Sequence, residues 1–343
     1  MLPLLNIGIM GSGFIARTHA HAVSNSVTRA TLAGVAGGTR AAALGADFQT
    51  RHFDSIESLA ASPLVDAVII ATPHHFHRDH ALLCAAHGKP VLLEKPMATS
   101  VAQCREIINA FAQCGLCLMI AFSQRFRESN QHAYNIIRRG DIGNIQMIQD
   151  FALVPNGLNA YPAWQQHPAN LGILFGYGVH TLDKLRWFLG SEAETVSARI
   201  LRSSGNIETS TMATLSWTNG AITSIWSSVD LGAPAFPSSA FRSLIVGRQG
   251  LLDVDGYGEV RLSLGGTPWQ TIFVQPPIDW RGSGMFAEAR MGSFNAQDQS
   301  FVDAVLDDHA PPVTGEDGLR AVEIALAAYM AADTNQVVYI SPG

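Results

Sequence analysis

"LLNIGIMGSGFIARTHA", Leu4 to Ala20, decides the fold. "LLNIGIM", Leu4 to Met10, is a mostly apolar run of strand length. Gly11-Ser12-Gly13-Phe14-Ile15-Ala16 then reads G-x-G-x-x-A, and helical spacing follows from about Ile15 to Ser24. In a strand–turn–helix unit the first glycine permits the tight turn. The second lets the backbone approach a pyrophosphate, and the small third residue lets helix and strand pack closely. The helix amino terminus points its unpaired amides at the phosphates. A plain structural turn is the alternative, because sequences rich in Gly and Ala make the pattern by chance. Its place in a strand–helix–strand unit favours binding, with Gly11, Gly13, Phe14 and Ile15 as dinucleotide contacts.

The alternation continues outward from that turn. "ATLAGVAG", "VDAVIIATP", "PVLLE" and "LCLMIAF" read as strands; "TRAAALGADF", "FHRDHALLCAAHG" and "SVAQCREIINAFAQCG" read as helices. Such alternation predicts an α/β domain with a doubly wound parallel sheet. The texture changes after about Gln124. "NQHAYNIIRRGDIG" and "GVHTLDKLRWFLG" read as helices, while "TSTMATLSW" and "AITSIWSSVDL" alternate with period two. These predict a mostly antiparallel sheet with one face on helices and the other elsewhere, a second subunit included. Pro276 to Ser293 reads as a long aperiodic loop lining the pocket, followed by helices over about Asn295–Asp307 and Glu316–Thr334. The expected domains are 1–122, for dinucleotide binding, and 123–343, for substrate binding and oligomerisation.

A chain of 343 residues fits about two such domains. Hydrophobic residues at 47% and charged residues at 15% exclude wholesale disorder. A net charge of -6 with no basic block argues against a nucleic-acid partner. No apolar run approaches the ~20 residues of a membrane span. The start lacks a basic n-region and reads as a first strand, not a signal peptide. Cys84, Cys104, Cys114 and Cys117 all lie in the first third, a pattern expected of a cytoplasmic protein without disulfides. Cys114 and Cys117 form a C-x-x-C, read as a helix end before a buried strand in preference to a zinc or redox site.

The carboxyl ends of parallel strands face the ligand crevice. "GVAGGTRAA" ends the second strand where an acid ordinarily holds the ribose hydroxyls of NAD. Gly37-Gly38-Thr39-Arg40 stands there instead, so Thr39 and Arg40 are candidates for a 2′-phosphate and NADP is expected over NAD. The alternatives are a solvated Arg40 with Thr39 as helix cap, or contacts to an adenosine without the phosphate. "IIATPHHFH" brings Thr72, Pro73, His74 and His77 to the same edge, and "LLEKP" brings Glu94 and Lys95. Lys95 is expected beside the nicotinamide and substrate. In "LFGYGVHTLDKLRWFLG", His180 and Asp183 are three apart on one helix face, with Lys184 and Trp187 beside them. Two glycines, Gly176 and Gly178, lead into this helix, so His180 is expected at its start, exposed in a crevice. Imidazole is suited to proton transfer near neutral pH; a polar cap with a solvated Asp is the alternative. The cluster His74, His75, His77, His80 reads as ring contacts and helix-start hydrogen bonds, with no metal expected.

Taken together, Gly11-x-Gly13-x-x-Ala16, Ala71-Thr72-Pro73 with His77, Glu94-Lys95-Pro96 and Gly178-x-His180-x-x-Asp183 resemble the Gfo/Idh/MocA oxidoreductases. "SQRF" (Ser123 to Phe126) and "RRGDIG" (Arg138 to Gly143) extend the likeness along the chain. The resemblance implies an N-terminal Rossmann domain, a C-terminal α/β domain with an open sheet, tight nicotinamide binding, and homodimers or homotetramers through that sheet. It implies that Lys95 contacts substrate hydroxyl and nicotinamide, that His180 is a general acid/base, and that Asp183 orients substrate or imidazole. Many members carry Asp four residues before the histidine, where this chain has Gly176; Asp183 or the Tyr177 hydroxyl is the expected replacement. Trp164 stands at the family's usual distance, with Gln165 and His167 where Arg and Asp are common. The implied activity is a dehydrogenase or reductase of sugars, cyclic polyols or related cyclic diols. Glycoside cleavage by transient oxidation and a non-catalytic nucleotide sensor are the alternatives.

Overall fold

The computed structural model of the chain describes residues 4–155, 164, 172–203, 205–232, 241–278 and 282–341. These form two compact units, 1–126 with 279–319 and 127–278 with 320–343.

The first unit opens with β1 (Leu5–Met10), α1 (Phe14–Asn25), β2 (Ala30–Ala36), α2 (Ala41–Asp47) and β3 (Arg51–His52). It continues through α3 (Ile56–Ala60), β4 (Ala67–Ile70), α4 (His77–Ala86), β5 (Val91–Glu94), α5 (Val101–Cys114) and β6 (Leu118–Ala121). The strands pair in parallel in the order β3-β2-β1-β4-β5-β6, the doubly wound arrangement that the alternation predicts. Every residue of β4 and β5 is buried, which is why these strands read as continuous apolar runs: a parallel sheet is covered on both faces. Ser100 caps α5 by accepting from the Gln103 amide, and left-handed Gly115 ends it. Cys114 is exposed at that end and Cys117 lies two residues beyond, both as free thiols.

In the second unit, α6 (Glu128–Arg139) precedes β7 (Ile145–Pro155), α7 (Val179–Leu189) and β8 (Ala193–Arg202). The antiparallel part follows as β9 (Glu208–Trp217), β10 (Ile222–Leu231), β11 (Phe241–Gly247), β12 (Gly250–Asp255), β13 (Glu259–Leu264) and β14 (Gln270–Val274). After it come α8 (Glu288–Leu306), which belongs to the first unit, then α9 (Gly315–Thr334) and β15 (Val338–Tyr339). The sheet of this unit has nine strands in the order β14-β13-β12-β11-β7-β10-β9-β8-β15. All neighbours are antiparallel except β7 and β10.

Two expectations change here. The helix expected from Asn295 begins at Glu288, so the supposed loop to Ser293 holds a 3-10 turn at Gly282–Phe286 and the start of α8. Polar residues hid the period. Arg290 is buried on the inward face, its guanidinium 4.7 Å from the Phe14 ring centroid and 4.9 Å from that of Phe294. The expected second domain included this helix, whereas α8 packs on α1 of the first unit.

The second change concerns α7. Its glycine-led approach is not an open loop but a π-helical turn, Leu174–Gly178, that runs straight into the helix. A Cβ at Gly178 would lie 2.7 Å from Leu174 Cδ1, so a larger residue there would displace the Leu174 side chain. Buried Glu208 anchors it, accepting from the Leu174 amide at 2.8 Å and from the Tyr329 hydroxyl at 2.9 Å.

Candidate active site

The glycine turn is built as its sequence requires. Gly11 has φ +116°, and a Cβ there would stand 2.3 Å from the Ala71 carbonyl oxygen. Only glycine lets β1 and β4 approach so closely at their carboxyl ends. Over Gly13 the space is open: the nearest atom to a built Cβ is Arg40 Nη2 at 4.0 Å. Gly13 caps the twelve-residue α1 without any side-chain hydrogen bond to the first-turn amides. An open backbone and an uncapped helix amino terminus fit a dinucleotide pyrophosphate.

Gly37 and Gly38 both have positive φ, +82° and +78°, and turn the chain after β2. The Arg40 amide donates to Ser12 Oγ at 3.2 Å, so the two phosphate-side loops are tied together. Thr39 and Arg40 are exposed, and Thr39 does not cap α2. Phe14 is half exposed at the start of α1, and Ile15 is half-buried beside it.

The strand ends β4 and β5 carry the next group. His74 opens a 3-10 turn before α4 and is buried. His77 is fully buried, with Nδ1 2.8 Å from the Pro96 carbonyl oxygen and Nε2 2.8 Å from that of Thr72. Burial pulls its pKa down to about 4 while the two carbonyls raise it; the neutral ring donates to one of them and the charged ring to both. Thr72 also pairs through Oγ1 with His80 Nδ1 at 2.9 Å. Pro73 sits between, half-buried. The Lys95–Pro96 peptide is cis.

Glu94 ends β5 and is buried. One carboxylate oxygen accepts from the Lys95 amide at 3.1 Å, and the other accepts from His19 Nε2 at 3.1 Å. His19, on α1, is closed on its other side by Asp298 of α8, whose two oxygens lie 3.0 and 2.9 Å from Nδ1. Burial lowers the pKa of His19, but Asp298 and then Glu94 overcome it and hold the ring up at about 10. Lys95 is half-buried at the end of β5; burial lowers its pKa and Glu94 pushes the other way.

In the second unit His180 is the second residue of α7 and is buried, 7% exposed, against the expected open crevice. Asp183 is 1% exposed, not solvated. The Tyr177 ring stands edge-on to His180 at 6.1 Å and stacks on Phe241 at 5.3 Å. Lys184 is turned away into a buried network: its Nζ is 2.7 Å from Asp150 and 2.9 Å from Ser243 Oγ, while Thr181 donates to the same carboxylate at 3.0 Å. Trp187 stacks on Tyr134 at 4.0 Å. Trp164 lies in a turn; Gln165 and His167 lie outside the described residues. Among the described residues no group of three His, Cys, Asp or Glu side chains is placed to hold a metal, and no helix is long and apolar enough to cross a membrane.

The sequence reading missed His19 and Asp298. The signal for each was a polar residue on an apolar stripe: His19 among Ala16, Ala20 and Val23, and Asp298 among Met291, Phe294 and Phe301, all buried.

The 3-2-1-4-5-6 sheet with its glycine turn, followed by a largely antiparallel nine-stranded sheet, defines a two-domain α/β protein of the dinucleotide-binding class. Residues 5–122 match the model for the oxidoreductase family, NAD-binding Rossmann fold, and residues 135–340 match its C-terminal alpha/beta domain. The chain belongs to the Gfo/Idh/MocA oxidoreductase family. It is 31% identical over 209 residues, 59% of its length, to inositol 2-dehydrogenase 2 of Saccharopolyspora erythraea, and spans 58% of that protein. The chain spans less than two thirds of the length of the curated relatives it matches. Its fold is that of levoglucosan dehydrogenase in complex with NADH and L-sorbose, at 19% identity, TM-score 0.87 and full coverage of both chains, 100%. It is likewise that of aldose-aldose oxidoreductase from Caulobacter crescentus, at 24% identity and TM-score 0.84, covering 98% of this chain and 100% of that one.

Proposed function

We propose that this chain is an NAD(P)-dependent dehydrogenase or reductase acting on a secondary alcohol or ketone of a sugar, cyclic polyol or related cyclic diol. The observation that carries the reading is Lys95. A lysine with its pKa lowered by burial stands at the carboxyl end of β5, its amide held by Glu94, in a sheet whose first turn is an open glycine cradle.

Gly11, Gly13, Phe14 and Ile15 hold the pyrophosphate on the amides of α1. Thr39 and Arg40 take the adenosine end, and the exposed guanidinium favours NADP over NAD. Thr72, Pro73, His74, His77, Glu94 and Lys95 line the nicotinamide end. The nicotinamide, when bound, supplies the hydride chemistry. The Lys95 ammonium orients the substrate hydroxyl and stabilises the negative charge that grows on its oxygen. His180 takes that hydroxyl proton in oxidation and returns it in reduction. Asp183 and the Tyr177 hydroxyl orient the substrate, in place of the acid that Gly176 lacks. We further propose a homodimer or homotetramer through the nine-stranded sheet. Met147, Ile222, Trp226 and Met212 lie on one face by register, and three of them are at least half exposed.

The test is a panel of inositols, levoglucosan and aldoses with NAD+ and NADP+, followed at the nicotinamide absorbance band. Lys95→Ala and His180→Ala keep cofactor binding and lose most turnover. Normal turnover in either variant overturns the role given to that residue.

A further inference from the structure

We propose that His19 and Asp298 are positioning residues for Lys95, acting through Glu94 as a buried Asp298–His19–Glu94 charge chain. The inference rests on the role given to Lys95 above and extends it to two residues far from it in sequence.

The geometry is closed at every link. Asp298 offers both oxygens to His19 Nδ1, at 3.0 and 2.9 Å. His19 Nε2 meets Glu94 Oε1 at 3.1 Å, and Glu94 Oε2 accepts from the Lys95 amide at 3.1 Å. His19 and Asp298 are both 0% exposed and Glu94 is 7% exposed. The Phe294 ring meets His19 edge-on at 5.9 Å and walls off the chain. A salt bridge this deep is a poor source of stability, since desolvation offsets most of the attraction. Geometric control is the better-attested reason to keep one, and this chain of contacts ends on the backbone of the lysine.

Charge gives the chain a second effect. Doubly protonated His19 donates at both ring nitrogens, and each donor meets a carboxylate. Without its charge, Glu94 would act on the Lys95 ammonium undiluted, and Asp298 would add to it from behind. The groups facing this cluster are Glu94 and Lys95 from β5 and its turn, Asp298 and the neutral Gln297 amide from α8, and His77 from α4, which senses Glu94. Arg290 of α8 donates to Thr18 Oγ1 at 3.1 Å and stands 4.9 Å from the Phe294 ring centroid, and its charge is the same whether or not His19 is cationic. With His19 cationic the set Asp298, His19, Glu94, Lys95 sums to zero; with a neutral residue there it sums to minus one. Loss of His19 therefore makes Lys95 hold its proton more tightly.

The experiment uses the full chain. Nitrogen-15 spectra of histidine-labelled protein report the protonation of His19 without reference to turnover. The expected result is an imidazolium with both nitrogens protonated at pH 8, titrating at least about one unit lower in Asp298→Asn. In His19→Gln, kcat on the fastest panel substrate falls by about tenfold to a hundredfold. KM and the NADH dissociation constant stay within about twofold, and the alkaline limb of the kcat profile moves to higher pH. Asp298→Glu restores most of the rate that Asp298→Asn loses, and if His19→Gln fails to fold the Asp298 pair carries the test. A neutral His19 at pH 8, or a kcat loss with an unmoved limb, overturns the inference, while a Lys95→Ala variant without turnover leaves the oxidoreductase reading standing. Normal turnover in Lys95→Ala overturns that reading of Lys95 and the inference with it.

Discussion

His77 Nδ1 lies 2.8 Å from the carbonyl oxygen of Pro96, while its other ring nitrogen lies as close to Thr72. One buried imidazole thus joins the turn after β4 to the turn that carries Lys95. Its pKa is about 4, below the ordinary 6.5. A group with a depressed folded pKa contributes stability above its unfolded pKa and loses it as pH falls toward the folded one. Acidification from 6.5 to 4 should therefore destabilise the wild type by on the order of 2 kcal/mol more than His77→Gln. Thermal midpoints across that window decide it. His19, raised to about 10, is present in both proteins and cancels in the comparison.

The two glycines of the first turn separate fold from binding. Gly11→Ala meets the Ala71 carbonyl at positive φ and should cost several kcal/mol of stability, on the order of 2–4. Gly13→Ala meets nothing closer than 4.0 Å. It should melt within a degree or two of the wild type, yet bind NADH and NADPH at least about tenfold more weakly, because its methyl stands where a pyrophosphate must approach. Calorimetry and fluorescence titration check the pair.

Arg40 is the handle for cofactor choice. Arg40→Ala should weaken NADPH by about tenfold to a hundredfold and NADH by less than about threefold, as expected for one charge-assisted contact to a 2′-phosphate. Equal losses for both would assign Arg40 to the adenosine instead.

The apolar sheet face predicts assembly. Trp226 pairs with Met212 across β10 and β9, and Ile222 pairs with Met147 across β10 and β7. Met212→Lys with Trp226→Arg should shift the mass measured by light scattering to the monomer without unfolding the chain. An unchanged mass would locate any interface elsewhere.

Much of this was legible in the sequence because local chemistry and global fold agree. The strand Leu5–Met10, the glycine turn and the runs "VDAVIIATP" and "PVLLE" can form little other than a buried parallel sheet. Period-two stretches such as "TSTMATLSW" likewise announced the second sheet. The lapses share one cause: a buried polar residue breaks the apolar period on which such readings rest. Arg290 made the first turns of α8 look like the end of a loop, Asp298 looked like an ordinary polar position of the expected helix, and His19 looked like one polar residue among "THAHA". The open approach expected for His180 failed differently. Gly176 and Gly178 signal backbone freedom, and the chain uses that freedom to widen a helix into a π-turn, not to leave it. Lys184, expected beside the catalytic face, is held by Asp150, a partner 34 residues earlier that no local pattern could reveal.

In the proposed function the glycine cradle and Lys95 serve a nicotinamide dinucleotide. The most direct test of that role is fluorescence titration of the purified chain with NADH and NADPH, alongside the Gly13→Ala variant. Saturable binding to the wild type, tighter for NADPH and strongly weakened by the added methyl, is the result this account predicts. No saturable binding of either dinucleotide to the folded wild type would contradict it.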